Sequence, residues 1–170
     1  DVPLIEVVKN PRDDLAYVVK RTTDFVIVAV LAILVLPVVV AAALAIKLSS
    51  PGPVFYRQRR VGQGSAEFVI WKLRTMADGA EEDSGPVLAR ARDTRVTPVG
   101  RILRATRIDE LPQLWNVLNG TMSLIGPRPE RPEFVCRYAE EIPGYLERFQ
   151  VKPGLTGLAQ VNGEYHTSAA

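Results

Sequence analysis

The residue types best suited to chemistry in this chain are two adjacent carboxylates, Asp109 and Glu110, which lie between arginine-bearing segments. Pro112 follows closely, and a proline is tolerated in the first turn of a helix, so we expect a helix to start here. Asp109 would then lie at or near the N-cap, with Glu110 in the first turn. The apolar residues that follow have helical spacing and are predicted to pack inward: Leu111, Leu114, Trp115 and Leu118.

Acids at a helix start have an ordinary structural use, since they cap the helix and complement its dipole. The neighbouring charges favour a second use. Arg104 and Arg107 precede the pair, and Arg128 follows it in the stiff segment Pro127-Arg128-Pro129, the PRP loop. One carboxylate could attack phosphorus or hold Mg²⁺ while the arginines neutralise phosphate oxygens. The pattern therefore indicates phosphoryl chemistry.

Composition limits the remaining possibilities. The 170 residues are enough for one core, and a start at Asp1 rather than Met predicts a piece of a longer protein. Net charge is +2, but residues 57–107 hold 11 Lys or Arg against 6 Asp or Glu, which favours anionic partners. The single Cys136 and single His166 exclude a Cys/His metal cluster, and Cys136 is expected to be buried.

The stretch from Phe25 to Ile46 contains 22 residues without a charge, which is long enough to cross a bilayer. On hydropathy alone it predicts a spanning helix. Pro37 near its middle predicts a bend, and basic residues lie on both flanks, at Lys20-Arg21 and at Lys47. Because basic flanks favour the cytoplasmic side, a bent re-entrant helix that enters and leaves one leaflet reconciles these features.

Two β-prone segments, Val54–Arg57 and Glu67–Leu73, flank a Gly-Gln-Gly-Ser turn and predict a β-hairpin. Lys72 and Arg74 alternate with apolar neighbours and should project from one strand face. The arginines at 57, 59 and 60 are read mainly as a solvated or lipid-facing basic surface. The other predicted elements are a strand Leu4–Val8, a loop Asp78–Pro86, short helical pieces over Arg90–Arg107 with Ile102 and Leu103 inward, a helix Glu130–Glu141, a helical segment Tyr145–Val151 and a strand Leu158–Val161.

Several segments together resemble the bacterial sugar transferase family, the monotopic phosphoglycosyl transferases. They occur in the family's order and span nearly all of Lys20 to Gly163. The matching segments are Lys20-Arg21 with Asp24, Ser50–Phe55, Gln58-x-Arg60-x-Gly62, Lys72–Met76, Asp109–Pro129, Lys152–Gly157 and Gln160–Gly163.

The resemblance implies an α+β, mostly helical monotopic membrane protein with an N-terminal re-entrant helix broken at proline, a small β-hairpin and amphipathic surface helices. We expect residues 1–19 to be a linker or remnant of an upstream domain, 20–48 the membrane helix and 49–170 a catalytic domain shortened at its C-terminus. The implied localisation is the bacterial inner membrane, with the catalytic domain in the cytoplasm.

The implied reaction moves a sugar 1-phosphate from a UDP-sugar to polyprenyl phosphate through a covalent intermediate on Asp109, with Glu110 positioning Asp109 or Mg²⁺. A variant has no covalent intermediate, and both acids hold Mg²⁺ while the lipid phosphate attacks directly. A hexose such as glucose or galactose is preferred to an acetamido sugar. The residues matched to substrate binding are Gln58, Arg60, Lys72, Arg74, Arg104, Pro127, Arg128 and Pro129.

A non-catalytic alternative is a basic membrane-surface module that binds anionic lipid. The positive segment and the apolar run allow it, but a simple binder has no need of an acidic pair. No nucleic-acid partner is expected, because basic and aromatic residues do not interleave. The expected partners are the UDP-sugar, polyprenyl phosphate and the inner leaflet, and assembly into a homo-oligomer is left open.

Overall fold

One long helix, α1 (Asp14–Ser49), dominates the computed structural model, which describes residues 14–80 and 93–161. The helix continues without interruption through Pro37, so the predicted break at this proline is absent. Among the described residues it is the one helix long and apolar enough to cross a membrane. The predicted strand Leu4–Val8 lies outside the described residues, as does most of the predicted loop Asp78–Pro86.

A single stripe of α1 packs against the rest of the chain. Its fully or partly buried positions recur every three or four residues, as expected for one helix face. The other faces expose large apolar side chains, including Ile33 and Leu34. The buried stripe consists of Asp24, Val28, Ala32, Val35, Val39, Ala42 and Ile46.

The predicted β-hairpin is confirmed: strands β1 (Phe55–Val61) and β2 (Glu67–Leu73) pair antiparallel. The turn between them holds a 3-10 helix, Gln63–Ser65, in which Gly64 adopts a positive φ of 66°. Ile70 and Leu73 of β2 are buried against the stripe of α1. The hairpin is therefore a platform between the long helix and the remaining elements.

Helix α2 (Pro98–Thr106) begins at an N-cap, Thr97, whose hydroxyl accepts from the Gly100 amide at 2.9 Å. Gly100 lies so close to Thr75 that a Cβ there would be 2.0 Å from the Thr75 carbonyl oxygen. This contact fixes which face of α2 is inward. Leu103 is buried as predicted, but the prediction for Ile102 is wrong because it lies about 100° further round the helix and is 64% exposed.

The acidic pair lies in a 3-10 helix, Ile108–Gln113, which leads into α3 (Leu114–Leu118). The N-cap of this 3-10 helix is Arg107, in the left-handed region with φ 59°, so Asp109 lies near the N-cap, in the first turn, as predicted. The left-handed Arg107 turns the chain after α2, and no side chain caps the 3-10 helix that follows. Trp115 is 60% exposed, contrary to prediction, because α3 turns Leu114 and Val117 inward instead.

The last described elements are β3 (Ser123–Ile125), α4 (Pro132–Glu141), a 3-10 helix Tyr145–Gln150, β4 (Gly154–Thr156) and α5 (Leu158–Val161). β3 and β4 pair in parallel. The predictions of helices near 130–141 and 145–151 are confirmed. The predicted strand Leu158–Val161 is wrong, since the strand partner of β3 lies earlier and these residues form α5. Cys136, expected to be buried, is exposed because α4 lies on the surface.

The N-terminal end of α1 is joined to these elements by polar contacts. Lys20 and the Ser123 hydroxyl both donate to the Asp24 carboxylate, at 3.0 and 2.6 Å, and Lys20 also donates to Ser123. Arg21 donates from Nη2 to the carbonyl of Leu118 at 2.8 Å and from Nη1 to that of Val117 at 2.5 Å. Arg21 therefore donates to two carbonyls at the C-terminus of α3, where intrahelical donors run out, and the Val117 carbonyl also accepts from the Gly120 amide at 3.1 Å.

Candidate active site

Glu110 is held by several basic side chains. It accepts from Arg128 Nη2 at 2.8 Å and from Lys72 Nζ at 3.3 Å, and Arg107 Nη1 lies 3.8 Å from it. Burial by itself would raise the pKa of Glu110, but the Arg128 hydrogen bond and the Lys72 charge outweigh it and lower this pKa to about 2. Glu110 is thus ionised and already occupied as a hydrogen-bond acceptor.

Asp109 differs from its neighbour. It is buried, and its Oδ1 has no hydrogen-bond partner within the part of the chain that the structure describes. Burial raises the pKa of Asp109, an effect that the Lys72 charge opposes and the Glu110 charge reinforces. A buried carboxylate oxygen without a partner is costly and suggests a bound group that completes the site. The more basic carboxylate is also the better nucleophile.

Two basic residues from separate elements, both matched to substrate binding by the resemblance, lie beside the acidic pair. Lys72, near the end of β2, bonds Glu110, and its own pKa is lowered chiefly by burial. Arg104 of α2 donates from Nε to the Thr75 hydroxyl at 2.8 Å, and its charge lowers the pKa of Asp109. The close packing of Gly100 on Thr75 therefore orients Arg104 beside the acids.

The PRP loop brings its arginine to the acids. Arg128 contacts Glu110, as described, whereas the two flanking prolines contribute backbone carbonyls to internal hydrogen bonds. Pro127 accepts from the Gly154 amide at 2.9 Å, and Pro129 accepts from Arg60 Nη1 at 3.0 Å. Of the three residues in this loop, Arg128 is the one whose side chain reaches the acidic pair.

Arg60 and Gln58 support this loop from β1. Arg60 donates to the Gln58 amide oxygen at 2.6 Å and forms an ion pair with Glu130 at 3.6 Å. Its side chain is only 13% exposed, unlike that of Arg59, which is 79% exposed. The reading of a solvated basic surface thus fits Arg59 and not Arg60. The contacts assign Arg60 to the support of the PRP loop.

Arg74 lies apart from the acids, and the prediction that it shares a strand face with Lys72 is wrong. Strand β2 ends at Leu73, so alternation no longer applies to the next residue. The Arg74 guanidinium instead donates to the carbonyls of Ser50 and Pro51, at 2.9 and 2.7 Å. It anchors the segment that leaves α1.

Sequence reasoning placed Arg107 beside the acids and missed two contributors to the site. Arg107 faces Glu110 at 3.8 Å, and its left-handed backbone also turns the chain there. Of the two residues missed, Thr75 orients Arg104, and Arg148 donates to the Arg128 carbonyl at 2.7 Å. The position of Thr75 within a motif-like segment could have suggested it, but no local pattern marks Arg148.

The fold and site together define a protein with a helix long and apolar enough to cross a membrane, and with an acidic pair held among basic side chains. A family model described as bacterial sugar transferase matches residues 15–170. The chain belongs to this family, as the sequence resemblance indicated.

Curated relatives with similar sequences carry specific names. The chain is 57% identical over 146 residues to a UDP-glucose:undecaprenyl-phosphate glucose-1-phosphate transferase of Caulobacter vibrioides, a match covering 85% of this chain and 54% of the relative. An Escherichia coli protein of the same name is 44% identical over 95% of this chain and 35% of its own length. A putative undecaprenyl-phosphate N-acetylgalactosaminyl 1-phosphate transferase of Bacillus subtilis is 48% identical, over 76% of this chain and 72% of the relative. The chain thus spans about a third to a half of the first two proteins.

Proposed function

We propose that this chain is the catalytic part of a phosphoglycosyl transferase that moves a sugar 1-phosphate from a UDP-sugar to polyprenyl phosphate. The observation that carries the proposal is the division of roles within the acidic pair. Glu110 accepts hydrogen bonds from Lys72 and Arg128, while the adjacent Asp109 retains an unpaired carboxylate oxygen and a raised pKa. Glu110 is suited to holding cationic groups in place, and Asp109 is suited to attacking phosphorus.

In the proposed reaction, an Asp109 carboxylate oxygen attacks the β-phosphorus of the UDP-sugar. The bond from that phosphorus to the oxygen shared with the α-phosphorus breaks, and UMP leaves with the bond's electron pair. The sugar phosphate is then an acyl phosphate on Asp109. A phosphate oxygen of the polyprenyl acceptor attacks the same phosphorus, which gives the polyprenyl diphosphate sugar and restores the carboxylate. Lys72, Arg104 and Arg128 stabilise the charge on the transferring group.

The acidic pair also fits a magnesium ion. Mg²⁺ in phosphate-transfer sites typically takes one or two carboxylates, with phosphate oxygens and water completing its shell. Asp109 and Glu110 supply the carboxylates, and the unpaired Asp109 Oδ1 has acceptor capacity to spare. The described residues contain no larger group of acids, histidines or cysteines that could replace them. When bound, the ion would offset the negative charge of the diphosphate.

The proposed setting is one leaflet of the bacterial inner membrane, with the site on the cytoplasmic side. Both ends of α1 pack on the rest of the chain: Arg21 bonds a carbonyl of α3, and Ile46 lies in the core with Leu73 and Leu103. A helix that crossed the bilayer along this surface would carry Lys72 and Glu110 towards the hydrocarbon, at high cost. These contacts support a re-entrant α1 whose exposed apolar faces meet lipid.

The donor that we propose is a UDP-hexose, with UDP-glucose as the first candidate, and the product would initiate a bacterial polysaccharide. Support comes from the names of the Caulobacter and Escherichia coli relatives, which specify UDP-glucose and undecaprenyl phosphate. The name of the Bacillus subtilis relative specifies an N-acetylgalactosaminyl group instead, so UDP-N-acetylgalactosamine is the natural competitor in any donor panel.

The test is release of UMP by the membrane-embedded chain with Mg²⁺, undecaprenyl phosphate and a panel of UDP-sugars. We expect release with one donor, its loss in Asp109→Asn, and its retention in Arg59→Ala, which removes an exposed charge. An equal rate in Asp109→Asn, or Mg²⁺-independent lipid binding without UMP release in any variant, would contradict the proposal and favour a non-catalytic lipid-binding module.

A further inference from the structure

The backbone of the PRP loop is held at every residue. Each of its three carbonyl oxygens accepts a hydrogen bond, and the three donors come from distant parts of the chain. The pairs are Gly154 N to Pro127 O at 2.9 Å, Arg148 Nη2 to Arg128 O at 2.7 Å, and Arg60 Nη1 to Pro129 O at 3.0 Å.

These bonds decide where the Arg128 side chain lies. With the Arg128 carbonyl turned towards Arg148, the Arg128 guanidinium extends to Glu110, where its Nη2 donates to Oε1 at 2.8 Å. Arg148 thus bonds the backbone of Arg128, the residue whose side chain holds Glu110. A small rotation of this peptide would move the Arg128 guanidinium by more than the tolerance of a bidentate phosphate or carboxylate contact.

The position of Arg148 is itself fixed by aromatic residues. Its guanidinium carbon lies 4.8 Å from the centre of the Tyr145 ring, a cation–π contact. Tyr145 packs edge to face on the buried Phe149 and also contacts Tyr138 of α4. The donor to the PRP loop is therefore seated on a small aromatic cluster, formed by α4 and the 3-10 helix that follows.

We propose that Arg148 is a positioning residue for the transfer reaction: seated on Tyr145, it fixes the Arg128 peptide and thereby holds the Arg128 guanidinium in the geometry that the substrate phosphates require. This inference rests on the proposed function. Arg148 is not proposed to touch substrate, so its whole effect on the reaction passes through Arg128.

The chain offers a matched control. Arg137 of α4 also lies over an aromatic ring of the same cluster, with its guanidinium carbon 5.0 Å from the centre of the Tyr138 ring. Within the described residues, Arg137 contacts the rings of Phe134 and Tyr138 and pairs with Glu141, and it does not contact the PRP loop. Arg137→Ala thus removes a cation–π contact while leaving the Arg128 carbonyl bond in place.

The experiment is a double-mutant cycle on kcat/KM for UMP release, with Arg148→Ala, Arg128→Gln and the double variant, beside Arg137→Ala. We expect Arg148→Ala to lower kcat/KM about tenfold, which is the effect of one charge-assisted hydrogen bond. In the Arg128→Gln background the same substitution should cost less than about twofold, since the group it positions is gone. Arg137→Ala should remain within about twofold of the parent.

Equal factors for Arg148→Ala in both backgrounds, or an effect no larger than that of Arg137→Ala, would overturn the inference. If the alanine variant does not fold, as judged by its thermal midpoint, Arg148→Lys in the same cycle serves instead, since lysine cannot reproduce the planar fork. A parent chain without UMP release would overturn the proposed function and this inference with it, whereas an active parent with additive variants would overturn the inference alone.

Discussion

Adjacent carboxylates would ordinarily raise each other's pKa, yet here the two acids shift in opposite directions. The difference comes from which basic groups each one contacts: Glu110 has direct bonds from Arg128 and Lys72, whereas Asp109 is affected by Lys72 and Arg104 only through charge. Paired groups whose environments separate their pKa values commonly have distinct catalytic roles. At the scale of single residues, this asymmetry is the basis of the proposed chemistry.

The lowered pKa of Glu110 predicts an acid-dependent loss of stability. Its folded-state value of about 2 lies below the ordinary 4.5, so the stabilisation is fully present above pH 4.5 and is lost as pH falls towards 2. We expect the thermal midpoint of the parent to fall more steeply over this interval than that of Glu110→Gln, which cannot titrate. Parallel pH profiles for the two proteins would contradict the ionised, hydrogen-bonded Glu110 described above.

Lys72 should control the acid limb of the activity profile. Because its positive charge lowers the pKa of Asp109, Lys72→Met should raise that pKa further, and the ionised nucleophile would then be lost at a higher pH. The acid limb of kcat/KM for UMP release should shift upward in pH, in addition to any loss of rate. Arg101→Met, which removes an exposed charge from α2, is the control and should leave the limb unchanged.

Sequence reasoning succeeded at this scale where a residue's neighbours in the chain decide its environment. The acids and the Arg128 between two prolines were identifiable because unusual residue types are adjacent in sequence. Arg74 could not be placed, because its orientation depends on β2 ending one residue earlier. Arg148 could not be found at all, since its contact with Arg128 is made by the tertiary fold.

At the scale of elements, the acidic pair is positioned from both sides. Upstream, α2 packs through Gly100 on Thr75 and the left-handed Arg107 turns the chain into the 3-10 helix. Downstream, α3 is fastened to α1 through Arg21. The long apolar helix is thus part of the scaffold of the site as well as the proposed membrane anchor.

Arg21→Ala tests this fastening. Removing two charge-assisted bonds leaves the Val117 and Leu118 carbonyls without these donors, so we expect a loss of about 2 kcal/mol in unfolding free energy. The measurement is denaturant or thermal unfolding in detergent. Arg59→Ala, which removes an exposed ion pair with Glu67, should change stability by less than about 0.5 kcal/mol. Equal effects of the two substitutions would show that the Arg21 contacts do not fasten α1 to α3.

The hairpin was predictable because alternating β-prone residues flank a glycine-containing turn, and the helices near 130–141 and 145–151 had clear apolar and breaker signals. The errors arose where tertiary contacts override local pattern. Trp115 has the spacing of an inward residue, but α3 turns Leu114 and Val117 inward and leaves Trp115 exposed. The strand expected at Leu158–Val161 was displaced because β3 pairs with Gly154–Thr156 instead.

At the scale of the whole molecule, the surface of α1 divides between a stripe that packs on the catalytic elements and apolar faces that remain exposed. A polyprenyl phosphate keeps its chain in the bilayer and its head group at the surface. A one-leaflet α1 would therefore hold the acidic pair near the acceptor's phosphate. In this proposed setting the bilayer would align the acceptor with the site.

This orientation can be checked with cysteine labelling in sealed vesicles. Cys136 is exposed on α4 and reports the side of the catalytic domain. In a Cys136→Ser background, single substitutions Thr22→Cys and Lys47→Cys lie near the two ends of α1, and both replaced residues are exposed. We expect an impermeant thiol reagent to label both from the same side as Cys136. Labelling of the two ends from opposite sides would show that α1 spans the bilayer.

The proposed covalent role of Asp109 is the central claim at all three scales, and it can be tested with a UDP-sugar that carries the radioactive label in its sugar. The membrane-embedded chain would be incubated with this donor and Mg²⁺ in the absence of polyprenyl phosphate. We predict protein-bound sugar phosphate with UMP released in equal amount, its discharge when polyprenyl phosphate is added, and neither product with Asp109→Asn. UMP that appears only when the lipid acceptor is present, with no label on the protein, would contradict a covalent intermediate and favour direct transfer.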